Sequence, residues 1–113
     1  MGAQTFEILS VGRFKTVREA YSHECAEAEY YDGHDPYNGT ISTTDGCYRR
    51  TGFPRYGTRK FDGWIGKELD EMDKRDCRFI ELEGAALKKV KEKHGYKGKK
   101  GIKAFYFYGW AAC

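Results

Sequence analysis

Residues 33–44 combine side chains that can move protons with side chains that can bind a substrate oxygen. His34, Tyr37 and Thr40 follow one another at three-residue steps in this segment. A catalytic histidine needs a substrate proton within hydrogen-bond reach and usually an acceptor that orients its ring. Asp35 or Asp32 would be such an acceptor, while Tyr37 or Thr40 would bind the oxygen. One hypothesis is therefore a small phosphoryl- or glycosyl-directed enzyme centred on His34.

The same segment also has a structural interpretation. Gly33 can end a preceding helix, and Pro36 prevents that helix from restarting. His34 would then cap carbonyls at the helix C-terminus, and Asn38-Gly39 would turn the chain into a strand. We favour this interpretation because side-chain capping is common and no nucleophile–base pair is recognisable here. We therefore assign no catalytic residue and favour a protein that is not an enzyme.

The threonine-rich run at residues 39–44 offers donors of the kind that bind phosphate. It lacks the spacing and the lysine of a Walker loop, and no helix N-terminus follows it directly. A β-branched strand explains its threonines more simply. Thr40 stays, with His34 and Tyr37, as a candidate binding residue on the rim of a contact surface.

Residues 48–61, which we call the arginine–tyrosine loop, are the better candidate for binding. Arginines offer charge-assisted forks for phosphate, and the interleaved rings can stack on bases. The candidate contact residues are Arg49, Arg50, Arg55 and Tyr56. In the competing interpretation this is a surface loop whose arginines pair with acidic helices. Both interpretations stay open, and the first implies a nucleotide or nucleic-acid ligand.

Charge is strongly segregated along the chain although the formal net charge is only +3. Residues 17–35 hold six acids and one base, residues 47–61 five bases and no acid, and residues 88–103 eight lysines and one acid. The plain interpretation is a set of solvated helix faces beside basic loops. The sharper one is a bipolar surface, in which the acidic segment occupies a basic groove of a partner and the basic segments bind phosphates.

Cysteine and histidine spacing predicts no metal site, because no two cysteines form a C-x-x-C pair and the three histidines do not complete a zinc ligand set. We expect no cofactor. No apolar run approaches the roughly 20 residues that cross a bilayer, and the N-terminus has no signal-peptide pattern. We therefore expect free thiols, no membrane partner and a cytoplasmic location.

The hydrophobic periodicity and turn residues predict one domain over residues 1–113 with an α+β fold. We expect an antiparallel sheet of about four strands, with two or three helices packed mainly on one face. The helices are predicted over residues 17–32, 61–73 and 84–94. The apolar stripe of the first helix includes Ala20 and Tyr31, and that of the second includes Phe61, Ile65 and Met72. Strands are predicted over residues 5–11, 39–44, 77–82 and 102–112, and residues 47–50 would return as a hairpin partner. The aromatic last strand is expected either to be central and buried on both faces or to have one face in contact with a partner.

Two patterns resemble small proteins encoded by tailed bacteriophages. One is Y-x-G-H-x-x-Y-x-G-T-I, which begins at Tyr31 after an amphipathic helix, and the other is the aromatic ending F-Y-F-Y-G-W-A, which begins at Phe105. Such proteins have no assigned chemistry, so the resemblance carries over no catalytic residue. It implies a phage accessory protein that acts inside an infected bacterium, where proteins of this kind often blunt host defence.

We conclude from the sequence that non-catalytic binding is the leading function. The first version is a protein that inhibits or sequesters a component of bacterial host defence, with a host protein or a signalling nucleotide as its partner. The alternatives are a nucleotide or nucleic-acid binder and the enzyme centred on His34.

Overall fold

A computed structural model describes residues 2–113 of the chain. The helices are α1 (Val17–Asp32), α2 (Arg59–Glu71) and α3 (Gly84–Lys93), and a single 3₁₀ turn covers Ile41–Thr43. The strands are β1 (Ala3–Gly12), β2 (Tyr48–Arg49), β3 (Cys77–Leu82) and β4 (Lys103–Ala112).

The four strands form one sheet in the order β1-β4-β3-β2. β4 lies antiparallel to both of its neighbours, and the two-residue strand β2 runs parallel to β3 at one edge. The predicted α+β class and four-stranded sheet are confirmed, and the sheet is antiparallel except at β2. The two edges differ greatly in length, because β1 has ten residues and β2 only two.

Strand β4 is the centre of the fold, as its aromatic composition predicts. Phe105 and Phe107 project to one face of the sheet, while Ala104 and Tyr108 project to the other. All four side chains are buried because strand side chains alternate between two faces that are both covered. The sheet therefore separates two apolar clusters.

The helices are divided between the two faces. Helix α1 and the 3₁₀ turn cover the face of Phe105 and Phe107. Helices α2 and α3 cover the opposite face, where the stripe predicted for α2 is buried at Phe61, Ile65 and Met72. Two of the three helices thus share a face. The predicted stripe of α1 is correct at Ala20 but wrong at its C-terminal end, where Tyr31 is 75% exposed.

The strand predicted over residues 39–44 is wrong, because local hydrogen bonds wind this segment into a 3₁₀ turn. The Thr40 hydroxyl accepts from the backbone N–H of Ser42, and the hydroxyls of Thr43 and Thr44 donate to the carbonyls of Thr40 and Ile41. Threonine hydroxyls that bond to nearby backbone compete with a sheet ladder. The β-branched composition was therefore misleading about the backbone.

The hairpin predicted for residues 47–50 is also wrong. Without a strand at residues 39–44 there is no preceding partner, and the chain pairs with the free edge of β3 instead. Tyr48 and Arg49 lie opposite Arg78 and Phe79. The backbone N–H of Arg50 then donates to the carbonyl of Phe79 at 2.8 Å. This placement brings the arginine–tyrosine loop to the β3 edge of the sheet.

The backbone just before β3 lies very close to β4 at Gly109, and a substitution there tests this close approach. A Cβ at this position would lie 2.0 Å from the carbonyl oxygen of Asp76, so Gly109→Ala forces two backbones apart. We expect the free energy of unfolding to fall by about 3 kcal/mol in urea titrations. Gly63→Ala is the matched control, since nothing lies within 4 Å of the position that its Cβ would take on α2. It should raise stability by about 0.5–1 kcal/mol, and equal effects of the two changes would contradict the close approach.

Candidate functional site

His34 lies on the surface just after α1. Its side chain is 82% exposed, and its Nδ1 atom lies 2.5 Å from a carboxylate oxygen of Glu29. The backbone N–H of Gly33 bonds to the carbonyl of Glu29, which ends the helix. His34 thus pairs with the last turn of α1 and lies outside the grooves described below. The partner of His34 is a carboxylate and not a helix carbonyl, so the predicted capping of carbonyls by His34 is not observed.

Asn38 bonds to several groups within residues 33–44, a segment that we call the junction. Its amide nitrogen donates to the carbonyl of Gly33 at 2.9 Å and to the hydroxyl of Ser42 at 2.8 Å. Its amide oxygen accepts from both the backbone N–H and the hydroxyl of Thr40. Thr40 is therefore engaged in capping the 3₁₀ turn, and its hydroxyl is already shared with Ser42.

Tyr37 is half-exposed and packs under Arg75. The guanidinium carbon of Arg75 lies 5.3 Å from the centre of the Tyr37 ring, in a cation–π arrangement. Arg75 also donates to the carbonyls of Thr43 and Pro36, and its backbone has a φ of 75°. Arg75 thus clamps the junction to the turn before β3. Sequence reasoning missed this residue because its partners lie more than 30 positions away.

Arg49 and Arg50 point to opposite faces of the sheet, as neighbouring residues beside a strand do. The Arg49 guanidinium lies 4.9 Å from the centre of the Phe79 ring, and it reaches Glu81 at 3.3 Å. Arg50 instead makes a two-pronged contact with Glu68 on α2, at 2.7 and 3.0 Å. Both arginines are therefore paired with acids, and they do not form one contact surface.

Glu68 is a buried carboxylate that joins three elements. Besides Arg50, it accepts a hydrogen bond from the Tyr108 hydroxyl at 2.7 Å, and Arg78 lies 3.2 Å from it. Burial alone would raise the pKa of Glu68, but the hydrogen bonds from Arg50 and Tyr108 and the charge of Arg78 outweigh it. The pKa of Glu68 is therefore lowered from its ordinary value, and the group is ionised at neutral pH. Burial, followed by the neighbouring Glu68, raises the pKa of Tyr108 and keeps its phenol protonated.

An open groove of about 600 Å³ lies between residues 53–57 and helix α3. Tyr56 forms part of one wall, and it is held edge-on between Phe61 and Tyr106 at centroid distances of 5.2 and 5.7 Å. The residues that give the groove its apolar wall and its charge are Phe53, Pro54, Arg55, Tyr56, Lys89 and Lys93. Of the seven binding residues predicted from sequence, Arg55 and Tyr56 line this groove.

The groove combines an apolar wall with three cations. Arg55 is exposed on the loop side, and Lys89 and Lys93 are exposed one turn apart on α3. Glu81 and Glu83 also line the groove, and Arg49 pairs with Glu81 at 3.3 Å. The groove therefore suits a ligand that has a flat or apolar part and an anionic part. Sequence reasoning noted the lysine-rich segment but did not place it beside Tyr56.

The junction and the groove lie at opposite ends of the sheet. The junction contacts the end of β4, where the backbone N–H of Gly39 donates to the carbonyl of Ala112 at 2.8 Å. The groove contacts Leu82, whose partner in the register is Ala104. Eight residues of extended strand span about 27 Å. The structure therefore does not bring His34, Tyr37 and Thr40 beside Arg55 and Tyr56.

A second, smaller groove of about 460 Å³ lies on the other side of α3. It is lined by Leu87 and by three lysines, Lys88, Lys91 and Lys97. Lys91 is engaged there, since its ammonium donates to the carbonyl of Lys99 at 2.5 Å. Helix α3 thus presents lysines to both of its sides, which extends the basic surface beyond the first groove.

Within residues 2–113, one trio offers metal ligands close together: His23, Glu24 and Glu27 on α1. Glu24 already accepts from the hydroxyl of Ser10 at 2.7 Å, and His23 lies 3.0 Å from Glu27. These pairings explain the cluster without an ion. No helix among the described residues is long and apolar enough to cross a membrane.

No protein-family model, no curated protein and no solved structure matches this chain. Its function is therefore inferred from the geometry described above.

Removal of the Glu68 carboxylate tests its role in joining α2 to the sheet. Glu68→Ala leaves Arg50, Arg78 and Tyr108 without their shared acceptor, and we expect a loss of about 3 kcal/mol in chemical denaturation at neutral pH. Glu71→Ala is the control, because this exposed carboxylate lies 3.8 Å from Arg78 and should contribute less than about 1 kcal/mol.

The pH dependence of this variant follows from the lowered pKa. As pH falls, the unfolded chain takes up the proton first. The stability contributed by Glu68 is therefore complete above the pKa of the unfolded carboxyl and is lost as pH drops through the lower pKa of the folded state. The difference between the wild-type protein and Glu68→Ala should therefore shrink in acid. A difference that stays constant or grows would contradict the assignment.

Proposed function

We propose that this protein binds a nucleotide, without turning it over, in the groove between residues 53–57 and helix α3. The base would lie against the apolar wall, and the phosphates would lie beside the cations. The observation that carries this proposal is the placement of three cations, Arg55, Lys89 and Lys93, around a groove whose wall contains an anchored tyrosine.

The size and rigidity of the groove support a small ligand. Its volume of about 600 Å³ falls within the range of ligand sites, which is roughly 300–1,000 Å³. Tyr56 already packs against Phe61 and Tyr106, so its ring loses little freedom when a base contacts it. Arg55 can bind phosphate through a fork of two donors, and the lysines add point charges.

The biological role that we propose is sequestration. A protein that holds a signalling nucleotide without converting it lowers the free concentration of that signal. The resemblance to small phage proteins supports a setting in the cytoplasm of an infected bacterium, where such a protein would blunt host defence. The groove supports the chemical class of the ligand, and the resemblance supports the setting.

Nucleotide binding can be tested with a panel of mononucleotides and cyclic dinucleotides, in thermal-shift assays followed by calorimetry. A true ligand at a hundred times its dissociation constant should stabilise the protein by about 2.7 kcal/mol. Arg55→Ala and Lys89→Gln should each weaken binding at least about tenfold, which corresponds to roughly 1.4 kcal/mol. The effect is expected because each variant removes a cation that would lie beside the phosphates.

The matched control is Lys67→Gln, which removes an exposed cation from α2 outside both grooves. It should leave the affinity unchanged. The unphosphorylated nucleoside should bind weakly, since it lacks the anionic part. Failure of every nucleotide to bind, or equal affinity of the Arg55→Ala variant, would refute the proposal. Tight binding of single-stranded oligonucleotides alone, with a steep salt dependence, would instead indicate a nucleic-acid binder.

A second candidate function is the binding of a basic host protein through α1, and one observation favours it. Tyr30 and Tyr31 are 81% and 75% exposed at the end of this acidic helix, and their rings pack edge-to-face at 5.1 Å. Exposed tyrosines are enriched in protein interfaces. The acids around them, including Glu27 and Asp32, would favour a basic surface on the partner.

This candidate predicts one stoichiometric partner in a pull-down from bacterial lysate. The double variant Tyr30→Ser, Tyr31→Ser should abolish its recovery without lowering the melting temperature, because both rings are exposed. Tyr48→Ser is the control, since Tyr48 is 68% exposed on β2 instead of α1. Recovery that is equal for all variants, or that does not weaken with salt, would exclude α1 as the contact surface.

A further inference from the structure

The long outer edge of β1 is unpaired within residues 2–113, because β1 is the first strand in the sheet order. Its other edge is fully bonded to β4 over ten residue pairs. A free edge of this length presents a row of backbone donors and acceptors to any strand that comes near. The opposite edge of the sheet offers only the two residues of β2.

The register identifies which backbone groups point outward. Gly2 and Cys113 exchange two backbone hydrogen bonds, at 2.9 and 3.1 Å, so they form a hydrogen-bonded pair. Because such pairs alternate along an antiparallel ladder, the even-numbered residues of β1 bond to β4. The N–H and C=O groups that point away from the sheet belong to Ala3, Thr5, Glu7, Leu9 and Val11.

Strand β1 lacks the devices that usually protect an edge. It contains no proline and no lysine, and Glu7 is its one charged residue. Four large apolar side chains lie along it and are only partly buried. They are Phe6 and Ile8 on the α1 face, and Leu9 and Val11 on the opposite face. A strand added at this edge would cover apolar side chains on both faces of the sheet.

We propose that the β1 strands of two copies of this chain pair antiparallel about a two-fold axis that passes beside Ile8. The sheet then continues through both copies as eight strands. A second copy is the occupant that fits, because a two-fold axis applies the same strand to itself and needs no charge of the opposite sign. No residue of β1 lines either groove, so this pairing leaves the proposed ligand site open.

Electrostatics disfavours the neighbouring register, which is centred on Glu7. An axis at Glu7 would place two carboxylates directly opposite each other, which destabilises a strand pair. An axis at Ile8 places Glu7 opposite Leu9 of the second copy and Thr5 opposite Val11. The outward groups of Thr5, Glu7, Leu9 and Val11 then all meet outward groups, and they form four hydrogen-bonded pairs. The two Ile8 side chains face each other across the axis.

Hydrogen exchange on the wild-type protein tests this interface directly, alongside sedimentation over a wide concentration range. We expect a monomer–dimer equilibrium, in which the amides of Thr5, Glu7, Leu9 and Val11 exchange more slowly as the concentration rises. The even-numbered amides of β1 are the internal control, because they bond to β4 and should be protected at every concentration.

The variant Thr5→Pro removes one outward donor from each copy and spares the ladder to β4. It should weaken dimerisation at least about tenfold, since two hydrogen bonds are lost per dimer. Thr5→Val keeps the N–H and should dimerise like the wild-type protein. A chain that stays monomeric at high concentration would overturn the proposal. So would a dimer in which the odd-numbered amides still exchange as fast as in the monomer.

Discussion

Strand β4 is bonded on both edges and covered on both faces, so every backbone polar group in it needs a partner within the protein. β1 and β3 satisfy most of these groups. Gly109 lies opposite Cys77, the first residue of β3. After Gly109, other segments of the chain bond to the backbone groups that β3 does not reach. The carbonyl of Trp110 accepts from Arg75, the N–H of Ala112 donates to the hydroxyl of Thr43, and the carbonyl of Ala112 accepts from Gly39. The junction at residues 33–44 thus supplies hydrogen-bond partners that the backbone of β4 requires.

The same constraint explains the ionic cluster on the face of α2. Tyr108 is fully buried in β4, and its hydroxyl must find an acceptor there. Glu68 is that acceptor, and its charge in turn requires Arg50 and Arg78. Arg50 stands at the start of the segment that forms the groove wall. The position of the proposed ligand site therefore depends, through Glu68, on a tyrosine in the central strand.

Three surfaces within residues 2–113 are candidates for binding. The groove lies beside α3, the tyrosine pair lies at the end of α1, and the free sheet edge lies along β1. A sheet covered on both faces leaves its edges and the outer sides of its helices for recognition. No residue of β1 lines either groove, so the proposed ligand site and the proposed dimer edge do not overlap.

The sequence alone determined the elements with strong periodicity. Helix α1 begins at Val17 after its Thr16 cap, β3 covers Cys77–Leu82 as predicted, and the aromatic run became the central strand. These features depend on neighbours a few positions away, and local pattern records them. The threonine run was misjudged because hydroxyl bonds to the local backbone and a strand ladder favour the same residue types.

Tertiary structure alone decided which charges are free. Arg49, Arg50 and Arg55 look equivalent in the sequence, yet the first two are paired with Glu81 and Glu68, and Arg55 lines a groove. Pairing depends on side chains 18 and 32 positions away, which no local pattern encodes. The sequence thus determined the chemistry that this protein carries, and the packing of its sheet decided where that chemistry is exposed.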